Sequence, residues 1–142
     1  MAVRRATVLD IPRIVKLLED YHKDSPFKDI PFISTDMFKI VDYCIYNSDS
    51  VTFVAEYDGE ITCALAGVLE PYMMNSKQRY ATDMYFVGHR GGLYVLKKFL
   101  KWVKAMPRCN AAYMAVSTNN ERVDKLYELA GLKRTGGMYV VR

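Results

Sequence analysis

The sequence predicts a mixed α/β fold: a mostly antiparallel sheet with helices on both faces, in the order β-α-α-β-β-β-α-β-α-β. Three observations predict it. A β-branched and aromatic run, residues 51–57, and a partner strand, residues 60–69, flank Asp58-Gly59, a tight hairpin turn. A strand–helix–strand crossover follows, through 79–87, 93–105 and 111–116. Apolar residues recur three and four apart elsewhere, the mark of helices with one buried face.

The elements follow in order. Residues 3–7 read as a short strand. Asp10 then caps a helix, with Pro12 tolerated in its first turn. Ile11, Ile14, Val15, Leu18 and Tyr21 form its apolar face. Residues 23–31 break it, because Pro26, Pro31 and Ser25 deny continuous helix. A second helix starts at Ser34 or Thr35, and Met37, Phe38, Val41, Cys44 and Ile45 supply its stripe. The 60–69 strand ends there or continues past Pro71, which suggests a bend or an edge. Asn75-Ser76 reads as the next turn. Residues 88–92 form a loop. The helix at 93–105 turns Leu93, Leu96, Leu100 and Val103 inward and Lys97, Lys101 and Lys104 outward, and Pro107 ends it. Residues 111–116 read as a buried strand, and 138–141 as a last strand.

At 142 residues the chain makes one domain, large enough to bury roughly two-thirds of its unfolded surface. Its composition, 51% hydrophobic and 25% charged, fits a soluble globular protein. No apolar run approaches the ~20 residues that span a bilayer. The first seven residues carry charge with no apolar stretch after them, unlike a secretory signal. Cys44, Cys63 and Cys109 are odd in number and far apart. Reduced thiols in a cytoplasm are the simplest reading, and no metal is expected. A formal charge of +4 permits an anionic cofactor without arguing for nucleic acid.

The most informative stretch is residues 120–132, Asn-Glu-Arg-Val-Asp-Lys-Leu-Tyr-Glu-Leu-Ala-Gly-Leu. Val123, Leu126, Leu129 and Ala130 share one helical face. Asn119 or Asn120 serves as N-cap, with Glu121 and Asp124 near the positive end of the dipole. Gly131 stands where a left-handed C-cap wants glycine, and Leu132 can close back onto the helix. This pattern resembles the last core helix of the GNAT-type N-acetyltransferase superfamily, N-x-x-A-x-x-L-Y-x-x-x-G-F. Val123 stands for the small residue and Leu132 for the Phe. The element order is similar to that family's fold over nearly the whole chain.

The resemblance implies acetyl-CoA as cosubstrate. Family members bind its pyrophosphate on a loop written Q/R-x-x-G-x-G/A between a strand and a helix. Here Gly88-His89-Arg90-Gly91-Gly92-Leu93-Tyr94 stands in that place, a degraded form of the motif. Arg90 would contact phosphate, and Gly91, Gly92, Leu93 and Tyr94 would offer N–H groups, with the Tyr94 ring turned away. Backbone groups near Phe86 and Val87 would hold the pantetheine arm. Asn120 would bond to pantetheine or simply cap the helix.

For catalysis, Tyr127 matches the family tyrosine that donates to the leaving sulfur, and it equally suits a packed core tyrosine. Asp83 is the candidate base, through water, or else a salt-bridged acid. Strand alternation puts Asp83, Tyr85 and Val87 on one face. His89 lies nearer phosphate than amine, and His22 suits an ordinary exposed histidine. The segment with Asp20, Asp24, Asp29, Tyr21, Phe27 and Phe32 would meet a cationic acceptor, or is a polar loop with a few anchoring rings.

The resemblance thus implies transfer of an acetyl group to a primary amine, in a small molecule or a protein, by direct transfer in a ternary complex. The alternative is a GNAT-like fold without catalysis, serving as a binding or assembly module. Neither nucleic acid nor membrane is expected as a partner, and a homodimer stays open.

Overall fold

The computed structural model describes residues 1–115, 121–137, 139 and 141. Its elements are β1 (Ala2–Arg5), a 3-10 turn (Val8–Asp10), α1 (Ile11–Lys23), α2 (Ser34–Tyr46), β2 (Ser50–Tyr57), β3 (Glu60–Tyr72), β4 (Asn75–Gly88), α3 (Gly92–Ala105), β5 (Cys109–Tyr113) and α4 (Glu121–Leu129). The five strands form one sheet in the order β1-β2-β3-β4-β5. The first four are antiparallel neighbours, and β5 runs parallel to β4. The crossover through α3 supplies that parallel pair.

Alternation along β3 divides two cores. Ala64, Ala66 and Val68 meet Ile14, Val15, Leu18, Val41 and Cys44 from α1 and α2. Cys63, Leu65 and Leu69 meet Val95, Leu96, Phe99 and Trp102 from α3. Both faces of the sheet are therefore covered, which is why β2 and β3 read as nearly continuous apolar runs.

Asp10 does not cap α1 with its side chain. It is buried and reaches back instead. Its carboxylate accepts the Thr7 N–H at 2.8 Å and a bidentate pair from Arg4 at 2.8 and 3.0 Å. Arg4 holds the Asp10 carboxyl below its ordinary range, against the opposing effect of burial. This clamp ties the end of β1 to the start of α1.

Several local expectations are corrected. The β3–β4 turn is Met73-Met74, not Asn75-Ser76, because pairing continues to Tyr72 opposite Asn75. Pro71 stays within β3, beyond the last pairing of β2 with Val68, so its missing N–H faces no partner strand. The buried face of α3 centres on Phe99 and Trp102, stacked at 5.9 Å, and Leu93 and Leu100 lie at its margins. The rings take the centre because they bury the most area. Tyr21, Phe38 and Leu129 are exposed. At about 100° per residue, Phe38 and Leu129 sit on helix flanks, and Tyr21 overhangs a cleft. β5 is a half-exposed edge, shorter than expected, with Val116 outside the described residues. Of the expected last strand, Tyr139 and Val141 are exposed and unpaired with the sheet, and Met138 and Val140 lie outside the described residues.

α4 ends as expected. Gly131 adopts φ +91°, Leu132 N–H donates to the Tyr127 carbonyl at 3.0 Å and Gly131 N–H to that of Glu128 at 3.0 Å. This double closure needs a left-handed residue at its corner, which glycine supplies without strain. The Asn119 or Asn120 cap lies outside the described residues.

Candidate active site

Among the described residues, β4 and β5 pair from Arg79 opposite Cys109 to Thr82 opposite Tyr113, and no further. Beyond Thr82, β4 runs on to Gly88 paired, among the described residues, with β3 alone. Its other edge faces a split. The split opens a cleft of about 930 Å³, from the N-terminus of α3 past Tyr127 to α1 and the start of α2. A larger groove of about 1310 Å³ runs along β5 and α4, away from the glycine turn. The chemistry-bearing residues gather in the smaller one.

A bulge at Met84 sets which residues face where. Ala66 pairs with Tyr85 but Gly67 pairs with Asp83, so Met84 is the extra residue. Neighbours on β3 face opposite sides of the sheet, and their partners follow. Asp83 therefore does not share a face with Tyr85 and Val87, as plain alternation predicted. Tyr85 and Val87 join the core under α1 and α2. Asp83 turns toward the side of α4.

There Asp83 and Tyr127 meet through Ala115. The Ala115 N–H donates to Asp83 Oδ1 at 3.2 Å, and the Tyr127 hydroxyl donates to the Ala115 carbonyl at 3.2 Å. Burial pushes the Asp83 carboxyl up, against the N–H bond from Ala115. Burial also raises the Tyr127 phenol well above its usual value, with Asp83, Tyr21 and Asp124 adding in the same sense. Tyr127 is thus held protonated and Asp83 is held nearer to neutrality than a surface carboxylate. The Phe86 ring lies 6.3 Å from that of Tyr127.

At the other end, the chain turns from β4 into α3. His89 N–H donates to the Thr62 carbonyl at 3.0 Å, and Thr62 Oγ1 donates to the Arg90 carbonyl at 2.9 Å. Gly91 caps the helix at φ +92°, and a Cβ there would lie 2.6 Å from that of Ala55. Gly91 has no side chain with which to cap the helix. The N–H groups of Gly92, Leu93 and Tyr94 point out from its first turn, where an α-helix has no internal acceptors. Arg90 is exposed, with its guanidinium 3.9 Å above the Tyr57 ring. Tyr94 is 53% exposed and lines the mouth of the cleft.

Of the expected site residues, the fold gathers Asp83, Phe86, Val87, Arg90, Gly91, Gly92, Leu93, Tyr94 and Tyr127 around one cleft. Asn120 lies outside the described residues. The acids of the α1–α2 segment are not gathered there. Asp20 pairs with Lys16 at 3.2 Å and Asp24 lines the other groove. Tyr21 and Phe32 do line the cleft, whereas Phe27 and Asp29 do not. His22 is half-buried rather than exposed, its Nε2 2.6 Å from the Ile30 carbonyl. Tyr57, Thr62 and Ala115 shape the site and were missed. Thr62 and Tyr57 lie far from the loop in sequence, and an alanine that works through its backbone leaves no signal.

Sheet order, split strands and an uncapped glycine turn together make the fold that of the GNAT-type acetyltransferases. No family profile matches the sequence, and no curated protein matches it. Among solved structures, the chain is similar to a predicted acetyltransferase with acetyl-CoA from Clostridium acetobutylicum. They share 17% identity at a TM-score of 0.73, over 99% of this chain and 95% of that one. It is similar to an aminoglycoside acetyltransferase in complex with sisomicin, from an uncultured soil metagenomic sample, at 10% identity and a TM-score of 0.69, over 99% and 95%. A transcriptional regulator from Bacillus halodurans C-125 is similar at 19% identity and a TM-score of 0.77, over 99% and 98%. At these identities the likeness is one of fold.

Proposed function

We propose that the protein is an N-acetyltransferase that moves an acetyl group from acetyl-CoA to a primary amine by direct transfer in a ternary complex. The observation that carries this reading is the split between β4 and β5, with helix N-terminal amides at one end and a half-buried carboxylate and a buried phenol at the other.

Each part has a chemical task. The N–H groups of Gly92, Leu93 and Tyr94 suit a diphosphate, with the Arg90 cation beside them. The free edge of β4 at Phe86 and Val87 offers backbone partners to a pantetheine arm, and an N–H there would face the thioester oxygen as charge builds on it. Asp83, nearer to neutrality than usual, suits acceptance of the ammonium proton through water. Tyr127 keeps its proton at any physiological pH and suits a hydrogen bond that steadies the departing thiolate. To do so its hydroxyl must leave the Ala115 carbonyl, a rotation within one side chain.

Direct transfer is favoured over an acyl-cysteine route. Cys63 lines the cleft, yet burial pushes its thiol up to about 12, and that of Cys44 to about 11. Neither supplies a thiolate at neutral pH. Two of the structural neighbours fit this reading, one an acetyltransferase with acetyl-CoA and the other an acetyltransferase of aminoglycosides. Among the described residues no helix is long and apolar enough to cross a membrane.

Calorimetric titration with acetyl-CoA tests the reading. Saturable one-site binding is expected, with free thiol released once an acceptor is added. Absence of saturable binding would overturn it.

A further inference from the structure

The acceptor end of the cleft has a composition that narrows the amine. Its walls are Tyr21, Phe32, Met37 and the exposed bulge residue Met84. Phe32 is fixed from behind, its ring 5.6 Å from that of His22, which is itself tied to the Ile30 carbonyl. Among the described residues, Asp83 is the only carboxylate that lines the cleft. One of its oxygens already accepts the Ala115 N–H.

On the acetyl-transfer reading, we infer that the acceptor is a monoamine on an apolar, aromatic-sized body, an arylalkylamine or alkylamine, and not a polycation. One carboxylate balances one ammonium. A second ammonium would find no further acid among the described residues of the lining, an arrangement that selects against polyamines and aminoglycosides. The acids that would serve a polycation are elsewhere: Asp20 is paired with Lys16 and Asp24 lies in the other groove. Aromatic and thioether walls bury an apolar body, and an aromatic face accepts the ammonium beside it.

The test uses the intact protein. Calorimetry measures the binding of 2-phenylethylamine, hexylamine, spermidine and sisomicin without cosubstrate, and thiol release measures their acetylation with acetyl-CoA. The two monoamines are expected to bind at least about tenfold tighter than spermidine or sisomicin. Equal or reversed affinities would overturn the inference. Phe32→Asp adds a second acid to the wall and should narrow the gap to spermidine by roughly fivefold or more. An unchanged preference in that variant would overturn the assignment of this wall. Tyr21→Ala should weaken 2-phenylethylamine roughly fivefold while leaving acetyl-CoA affinity unaltered, and an unaltered amine affinity would count against it. If acetyl-CoA fails to bind while the amine preference holds, the transferase reading falls and the acceptor assignment stands.

Discussion

Asp83 and Tyr127 grip opposite ends of the same peptide residue. Ala115 gives its N–H to the carboxylate and receives the phenolic hydroxyl on its carbonyl, each at 3.2 Å. This bridge sits just past the last paired residues of β4 and β5, so two side chains stand in for the ladder where the strands part. The same groups that suit proton transfer therefore also set the width of the split.

That double role makes Tyr127→Phe informative. The variant loses a hydrogen bond and leaves the Ala115 carbonyl unpartnered, a cost of about 1 kcal/mol that thermal unfolding should register. Turnover should fall roughly 10²-fold with little change in acetyl-CoA affinity. Unchanged turnover would remove Tyr127 as the acid and leave it a strut.

Asp83→Asn separates stability from chemistry by sign. Burial raises the folded-state pKa of Asp83 above that of the unfolded chain. Between those two values the folded state holds the extra proton, so stability falls as pH rises through that window and stays lower above it. The amide keeps an acceptor for the Ala115 N–H but removes the half-buried charge. The melting temperature at pH 7 should hold or rise, and the pH-linked loss above the ordinary carboxylate pKa should disappear. Turnover should still drop roughly 10²-fold. A variant less stable at pH 7 would show the charge to be structural.

Why some of this was legible and some was not follows from the range of the forces involved. α4 carries its own punctuation: acids in the first turn, Gly131 at its end and Leu132 just beyond, all local terms. The hairpin at Asp58-Gly59 and the glycine turn before α3 were readable for the same reason. The Met84 bulge has no local mark. It arises from the register of β4 on β3, and it reversed the face assigned to Asp83. The acids of the α1–α2 segment looked like a pocket because they are near in sequence, yet the Asp20 charge is taken up by Lys16. The stacking of Arg90 on Tyr57 joins residues far apart in the chain, which no periodicity reports.

The Arg90 side chain gives a clean test of the phosphate end. Its contact with Tyr57 is exposed and worth about 1 kcal/mol or less. Arg90→Ala should therefore leave the melting temperature nearly unchanged while raising the acetyl-CoA dissociation constant roughly tenfold. An unaltered constant would reject the phosphate role.

The clamp between Arg4 and Asp10 bears on stability alone. Asp10 is 7% exposed, and its folded pKa is depressed, chiefly by the Arg4 hydrogen bonds. Its contribution is present above the unfolded pKa and is lost as pH falls through the folded value. Asp10→Ala also frees the Thr7 N–H, and should cost about 2 kcal/mol at pH 7, less than a fully buried pair because Arg4 is partly solvated. The penalty should shrink in acid, where the native carboxylate is itself protonated. A penalty independent of pH would assign the cost to packing.

The last prediction contrasts two adjacent glycines. Gly91 holds φ +92°, and a Cβ there would strike that of Ala55, on a strand that cannot retreat. Left-handed strain and overpacking together should make Gly91→Ala cost roughly 2–4 kcal/mol. The turn would reopen to relieve it, tilting the first amides of α3 and weakening acetyl-CoA. Gly92 has ordinary helical backbone, and a Cβ there would sit 3.2 Å from Leu126 Cδ1, the end of a side chain able to shift. Gly92→Ala should keep the fold, since alanine favours helix by about 1 kcal/mol over glycine. Its methyl would nevertheless press on Leu126 and Phe86, which wall the cleft, so any loss should fall on the arm of the cosubstrate. Chemical denaturation of both variants beside their acetyl-CoA titrations checks the contrast. Equal stability of the two would refute the strain at Gly91, and equal loss of affinity without unfolding would show that both amides serve the diphosphate alike.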